Sequence, residues 1–97
     1  MRKVTFHEDA EAEMIEAAQY YEEKAFGLGL SFLEAVETAV NQVLENPLAY
    51  QLVSDNIRHK LLRRFPYSLQ YIVEPDLIRI LSVSHQKRRP GYWRYRL

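Results

Sequence analysis

The side chains of this sequence that could bind a partner or a substrate are mainly lysine, arginine and aromatic residues, and most of them lie after residue 53. Residues 54–97 carry ten lysine and arginine side chains against three acidic ones, whereas residues 1–53 carry three against ten. The net charge of zero therefore divides into −7 for the first part and +7 for the second. The cations of the second part are interleaved with Tyr67, Tyr71, Tyr92, Trp93 and Tyr95. Cations bind phosphate or carboxylate and rings stack on bases, so the pattern predicts an anionic partner, with a self-complementary surface as the alternative.

Composition and length exclude several other kinds of site. Cysteine is absent, which rules out disulfides, thiolate zinc sites and cysteine nucleophiles. The three histidines are too scattered to give a metal-ligand spacing, and we expect neither a metal nor a cofactor. No apolar run approaches the roughly 18 residues that span a bilayer, and the chain turns acidic where a signal peptide would be apolar. We therefore expect one cytoplasmic domain over residues 1–97, without membrane contact.

The first half predicts a strand followed by a pair of helices. The strand is Arg2–Phe6, and the amphipathic helix Glu8–Ala25 follows it with a mostly carboxylate outer side. A glycine-rich break ends this helix. Ser31 and Glu34 then fit a capping box for a second helix, which must end by Asn46 because a proline follows. The short break between the helices predicts an antiparallel αα-hairpin.

The second half predicts a sheet, because the hydrophobic period there changes to two. The predicted strands are Ile57–Leu62, Tyr67–Val73 and Leu77–Ser84, and a Glu-Pro-Asp turn joins the last two. In the first of these strands the alternation places Arg58 and Lys60 together on one face. The predicted fold is therefore α+β, with one twisted sheet and the element order β-α-α-β-β-β.

Short motifs in a fixed order along the chain resemble those of a known family. They are Phe6 with Ala10 and Glu13, Tyr20-Tyr21-Glu22, Gly27-Leu28-Gly29, Asn46-Pro47, Arg58, Phe65-Pro66-Tyr67 with Tyr71, Val83-Ser84-His85, Arg88-Arg89-Pro90 and Tyr92-Trp93. In this combination the chain resembles the RelE/ParE superfamily of toxins from type II toxin–antitoxin modules, often described as plasmid stabilisation proteins. The resemblance implies a growth-inhibitory bacterial or archaeal protein that a cognate antitoxin neutralises in a hetero-oligomer.

One branch of that superfamily, RelE, cleaves mRNA on the ribosome without a metal. The resemblance places Arg58 and Lys60 where that branch carries two lysines, and Tyr92 where it carries a base-stacking tyrosine. His85 stands where some members have an acid or base, so Lys60 or His85 would activate the 2′-hydroxyl. The alternative interpretation makes Arg58 and Lys60 surface cations and gives His85 the role of capping its strand.

The ribonuclease pattern is incomplete in this sequence. Ser68 stands where RelE enzymes usually have an arginine on the scissile phosphate. The phosphate would then have to be held by Arg58, Arg64 or Arg88. The other branch, ParE, does not keep the ribonuclease residues and inhibits DNA gyrase by protein contact, so the departure at Ser68 favours ParE.

A gyrase inhibitor would use a contact surface, and the basic tail offers one. Its candidate residues are Arg88, Arg89, Trp93 and Arg94, with Trp93 as a lid on the core in the alternative interpretation. A third hypothesis is a non-toxic member that only binds its antitoxin. For both active hypotheses we expect the antitoxin to lay an amphipathic, partly disordered segment across apolar or basic surface of this chain and to order as it binds. The basic half predicts that this segment is acidic.

Overall fold

The computed structural model describes residues 2–97, and the order of their elements confirms the predicted α+β fold. The elements are β1 (Lys3–Phe6), α1 (Glu8–Lys24), α2 (Leu28–Glu45), β2 (Leu52–Ser54), β3 (Ile57–Leu61), β4 (Tyr67–Val73), β5 (Leu77–His85) and a 3₁₀ helix (Arg94–Arg96). Strand β2 is an addition to the predicted order. Within residues 2–97, neither α-helix has the length and apolar character needed to cross a membrane.

The five strands form one mixed sheet in the order β1-β5-β4-β3-β2. Strand β1 lies parallel to β5, and the remaining neighbours pair antiparallel. This order places the apolar strand β5 inside the sheet, between β1 and β4. Strand β2 joins β3 through a turn in which Asp55 has a left-handed φ of 31°. Sequence analysis missed β2 because three residues are too few to show alternation.

The predicted capping box of the second helix is wrong. Helix α2 begins three residues before Ser31, directly after Gly27, whose left-handed φ of 82° a glycine adopts without strain. The Ser31 hydroxyl donates to the Gly27 carbonyl, and no bond from Glu34 caps the helix. Glu22 of α1 supplies the cap, because its carboxylate accepts the backbone N–H groups of Gly27 and Gly29, each at 2.9 Å.

Helices α1 and α2 cover one face of the sheet, which we call the helix face, and form the main core there. Leu69 and Tyr71 of β4 and Ile78 and Ile80 of β5 are 0% exposed in this core. Burying an aliphatic side chain of this size contributes about 1.5–3 kcal/mol. Phe32 of α2 packs its ring against Tyr21, Phe65 and Tyr67, at centroid distances of 5.4, 5.2 and 5.1 Å.

The opposite face, which we call the tail face, is covered by the segment after β5. Trp93 is only 6% exposed there and packs in a second core with Ile57, Ile72 and Leu81. The pairing of β4 with β5 shifts by one residue at Leu81, which forms a bulge. The tail is therefore a folded layer of the protein, and its tryptophan is the lid that the sequence allowed as an alternative.

Candidate functional site

The tail face carries a buried polar cluster on its two central strands. The Gln70 Oε1 atom accepts hydrogen bonds from the hydroxyls of Ser82 and Ser84, and the Gln70 Nε2 atom donates to Ser68 Oγ at 2.8 Å. All four side chains are at most 7% exposed. Since buried polar groups are costly unless hydrogen-bonded, this mutual bonding holds the cluster in one arrangement.

A cavity of about 220 Å³ lies over this cluster, between the sheet and the tail. Its walls include His59 and Leu61 of β3 together with Arg88, Arg89 and Tyr92 of the tail. The guanidinium carbon of Arg88 lies 3.9 Å from the centre of the Tyr92 ring, which is cation–π geometry. A partly apolar cavity with a polar floor and two guanidinium groups can receive an anionic side chain or phosphate from a partner.

The tail is anchored by an ion pair between Arg96 and Glu13 of α1. The Nη1 and Nη2 atoms of Arg96 donate to the two carboxylate oxygens of Glu13 at 2.9 and 3.0 Å, and Nη1 also donates to the carbonyl of Leu81 at 2.9 Å. Glu13 accepts two further bonds, from the Tyr92 hydroxyl at 2.6 Å and from the backbone N–H of Val83 at 3.0 Å. The anchor therefore joins the tail, α1 and β5.

Electrostatics reinforce this anchor. Burial raises the pKa of Tyr92 far above its ordinary value, and its hydrogen bond to the Glu13 carboxylate raises it further. For Arg96, burial alone would lower the pKa, but the bonds to Glu13 and Tyr95 outweigh burial and raise it. The Tyr95 hydroxyl also donates to Asp9 at 2.5 Å. Tyr92 thus stays a neutral donor and Arg96 stays a cation.

Arg58 and Lys60, the two candidate cations of β3, lie on the helix face. Their partners in β4 are Tyr71 and Leu69, which are main-core residues, so the pairs point away from the cavity. Arg58 Nη1 donates to the carbonyl of Tyr50 at 2.7 Å, and Lys60 Nζ lies 5.0 Å from the Tyr50 ring centre. The guanidinium of Arg58 therefore holds the segment that follows α2.

Arg64 lies apart from the cavity under the tail, whereas His85 lies at its edge. Arg64 has a left-handed φ of 71° in the loop after β3, and its side chain lines a groove of about 360 Å³ against α2. The His85 ring packs on the Tyr67 ring at 5.1 Å, and its Nδ1 atom accepts the backbone N–H of Lys87 at 3.0 Å. His85 also lines the cavity under the tail, together with Arg88 and Tyr92. Of the five candidate ribonuclease residues, His85 and Tyr92 are therefore brought together, whereas Arg58, Lys60 and Arg64 lie outside this cavity.

The candidate contact residues of the tail divide into two groups. Arg88, Arg89 and Arg94 are exposed, and within residues 2–97 none of them forms an ion pair. Trp93 is buried, so its ring faces the sheet and is not presented to a partner. The structure thus offers a surface of unpaired cations whose backbone is fixed from beneath by Trp93 and Arg96.

Glu13 and Gln70 organise this site. Sequence analysis named Glu13 among the residues that carry the resemblance but assigned it no role, and it missed Gln70. Glu13 had a signal, because it lies three residues after Ala10 and four before Ala17, both of which are buried on the inner side of α1. Gln70 lies between two apolar residues of β4, and no pattern in the sequence marked it as a site residue. Within residues 2–97, no group of three or more histidine, aspartate or glutamate side chains is placed to hold a metal ion.

Comparison with known proteins gives matches to one family. A family model described as "ParE toxin of type II toxin-antitoxin system, parDE" matches residues 4–90. A solved structure described as "Chromosomal ParDE TA system from P. aeruginosa" contains a similar chain, with a TM-score of 0.63 and 21% sequence identity. The match covers 88% of this chain and 96% of that one, and at this identity it shows a shared fold. No curated protein matches.

Proposed function

The chain belongs to the ParE toxin family of type II toxin–antitoxin systems, and we propose that it arrests growth by binding DNA gyrase. The family confirms the resemblance stated from the sequence and makes the protein a toxin. The family alone does not decide between DNA gyrase and mRNA as the target, so the choice of gyrase is our proposal. It means that the toxin acts through a contact surface and needs no catalytic groups of its own.

The observation that carries this proposal is the position of Arg58. Of the three cations that could hold the scissile phosphate, Arg58 is on the helix face and donates to the carbonyls of Leu48 and Tyr50, and Arg64 lines the groove against α2. Arg88 lines the cavity with His85 and Tyr92, but Lys60, the other candidate base, is on the opposite face of the sheet. The Tyr92 hydroxyl is likewise held by Glu13. Ser68, at the position of the usual phosphate-binding arginine, is buried and bonded to Gln70. These engagements support a non-enzymatic toxin.

The contact surface in this proposal is the exposed part of the tail, with Arg88, Arg89 and Arg94. Unpaired cations speed the approach of an anionic partner and set its orientation. The anchor between Arg96 and Glu13 keeps these cations in place before the partner arrives, which reduces the ordering cost of binding. An anionic surface on gyrase, or on the DNA that gyrase holds, would meet them.

The same cations make an acidic antitoxin the expected partner in the inactive state. We propose that a cognate antitoxin lays an acidic segment over the basic half of the toxin. Exposed charges are screened by salt, so the complex should dissociate more readily as ionic strength rises. An affinity that does not change with salt would instead indicate mainly apolar contacts.

Gyrase supercoiling of relaxed plasmid, with the purified toxin added, tests the proposal directly. We expect inhibition by the native protein and at least about tenfold weaker inhibition by Arg89→Glu/Arg94→Glu, a loss equal to about 1.4 kcal/mol. Arg63→Glu is the matched control, because Arg63 is exposed but lies in the loop after β3. Deleting the tail is unsuitable, since it would remove Trp93 from the second core.

A second arm distinguishes the ribonuclease hypothesis. After induction without antitoxin, pulse labelling should show DNA synthesis failing before protein synthesis, and Lys60→Ala and His85→Ala should remain toxic. An early collapse of protein synthesis that both substitutions abolish would establish the ribonuclease instead. Continued growth on expression of folded toxin would leave only antitoxin binding as its role.

A further inference from the structure

The tail brings four exposed cations together in one loop. Lys87, Arg88 and Arg89 follow the end of β5 directly, and Arg94 begins the 3₁₀ helix. The Arg94 side chain folds back toward the first three, because its Nε atom lies 3.0 Å from the position that a Cβ atom on Gly91 would take. None of the four cations forms an ion pair within residues 2–97. We call these four cationic residues the basic loop.

Hydrogen bonds and packing fix the backbone of the basic loop. The His85 carbonyl accepts the N–H of Arg88 at 2.9 Å, and the His85 Nδ1 atom accepts the N–H of Lys87 at 3.0 Å. At the other end of the loop, Trp93 is buried in the second core directly before Arg94. A partner therefore meets cations on an ordered backbone, which lowers the entropic cost of binding.

The neighbouring carboxylates of α1 leave the charge of the basic loop uncompensated. Asp9 and Glu13 both pair with Arg96 instead, at 3.7 and 2.9 Å. Glu16 lines a cleft of about 230 Å³ together with Arg88, but no ion pair joins the two side chains. The basic loop thus presents a formal charge of +4 and is complementary to an anionic partner.

The two rings next to the basic loop in the chain are closed to stacking by a partner. Trp93 is only 6% exposed. The Tyr92 ring has the guanidinium carbons of Arg88 and Arg96 at 3.9 and 5.2 Å from its centre. The exposed ring of Tyr95 reaches to α1, where its hydroxyl is bonded. Since single-stranded nucleic acids are held largely by stacking on rings, the basic loop is better suited to phosphates than to bases.

The basic loop also lacks the apolar anchors of a protein interface. Among residues 86–94, no large apolar side chain is exposed. Protein interfaces bury aromatic anchors at a centre that is depleted in charge, whereas protein–DNA interfaces are polar and strongly positive. A DNA duplex carries one negative charge per roughly 1.7 Å of its axis, so several phosphates can meet the four cations together.

We propose that the basic loop binds the phosphate backbone of double-stranded DNA without reading its sequence. Arginine and lysine form charge-assisted hydrogen bonds with phosphate oxygens, and such contacts position a protein on a duplex but carry no sequence information. The inference rests on the proposed function in one respect, because the DNA that gyrase holds is where this contact would act. It names that DNA, rather than an acidic surface of gyrase, as the partner of the tail.

Fluorescence anisotropy of a short labelled duplex, titrated with the full chain in the absence of gyrase, tests this inference. Four neutralised phosphates give a slope of about −3.6 for log affinity against log salt, so affinity should fall about 150-fold between about 50 and 200 mM salt. Duplexes of unrelated sequence should bind equally well. A single strand of the same length should bind more weakly, because stacking rings are not offered to it.

The decisive variant is Arg89→Gln/Arg94→Gln, which should reduce the magnitude of the slope by about 1.8, since two phosphate contacts are lost. The matched control is Arg63→Gln/Arg64→Gln, which changes the net charge equally but removes cations of the groove against α2, and its slope should match that of the native protein. Equal effects of both variants, or tighter binding of the single strand or of polyglutamate than of the duplex, would overturn the inference.

The supercoiling assay separates this inference from the proposed function. Duplex binding by a native toxin that leaves gyrase active would support the DNA contact and refute the choice of gyrase. Inhibition of gyrase by a toxin that binds no duplex at about 50 mM salt would overturn the DNA contact and leave the proposed function standing.

Discussion

Replacing Arg96 with methionine should lower the free energy of unfolding by about 3–5 kcal/mol. The side chains of Arg96 and Glu13 are 5% and 15% exposed, and two charge-assisted hydrogen bonds of 2.9 and 3.0 Å join them. Methionine fills much of the arginine volume but leaves the Glu13 carboxylate without its counter-charge and Leu81 without its side-chain donor. The loss would be a large share of the roughly 5–15 kcal/mol that stabilises a domain of this kind.

Urea unfolding followed by two probes measures this loss. Trp93 is the only tryptophan and lies in the second core, so its fluorescence reports the tail, while far-UV circular dichroism reports the helices. In a cooperative domain the two transitions coincide. Arg94→Met is the matched control, because Arg94 is exposed on the same 3₁₀ helix, and it should stay within about 0.5 kcal/mol of the native protein.

A double-mutant cycle then separates the ion pair from general packing. Glu13→Met alone should also be strongly destabilising, because it leaves the buried guanidinium with only the Asp9 carboxylate, 3.7 Å from its Nε atom, as counter-charge, whereas Glu13→Met/Arg96→Met removes both charges of the pair together. We expect the double variant to be more stable than the sum of the single losses predicts. A loss below about 1 kcal/mol for Arg96→Met, or strictly additive losses, would refute the anchoring role.

Two further predictions concern pH and the helix cap. An unfolded tyrosine loses its proton near pH 10, whereas burial raises the pKa of Tyr71 to about 12, so the unfolded state binds fewer protons and stability should fall between these values. Urea midpoints at pH 9 and about 11.5 should show a smaller fall in Tyr71→Phe, and an equal fall would contradict this cause. Glu22→Ala should cost about 0.5–2 kcal/mol in urea unfolding, because Gly27 and Gly29 lose their acceptor. Glu23→Ala, at an exposed glutamate without an ion-pair partner in the described chain, should change little, and equal losses would rule out the cap.

The helices and the three long strands could be predicted because their side chains repeat at the periods of 3.6 and 2. The beginning of α2 could not, since the cap comes from Glu22 in the preceding helix and no local motif encodes that contact. The sequence also could not predict which face of the sheet carries Arg58 and Lys60. Alternation shows that the two share a face, but only the packing of the helices decides which face it is.

The candidate site was predictable in composition but not in arrangement. The basic tail was recognised from its charges, and its exposed cations Arg88, Arg89 and Arg94 remain a proposed contact surface. Arg96 belongs to the same run of cations, yet it is buried, because Glu13 supplies a carboxylate from a helix far away in the sequence. Long-range pairs of this kind carry no periodic signal.

The hydrogen bonds of Glu13 and Arg96 to β5 also protect an edge of the sheet through which the toxin could otherwise aggregate. Strand β1 reaches only as far as Ile80 along β5, and beyond that residue a free sheet edge would be open to strand addition from another chain. Side chains close this edge, because Arg96 occupies the Leu81 carbonyl and Glu13 occupies the Val83 N–H. The ion pair that holds the tail in place thus also hinders edge-to-edge association of the folded protein.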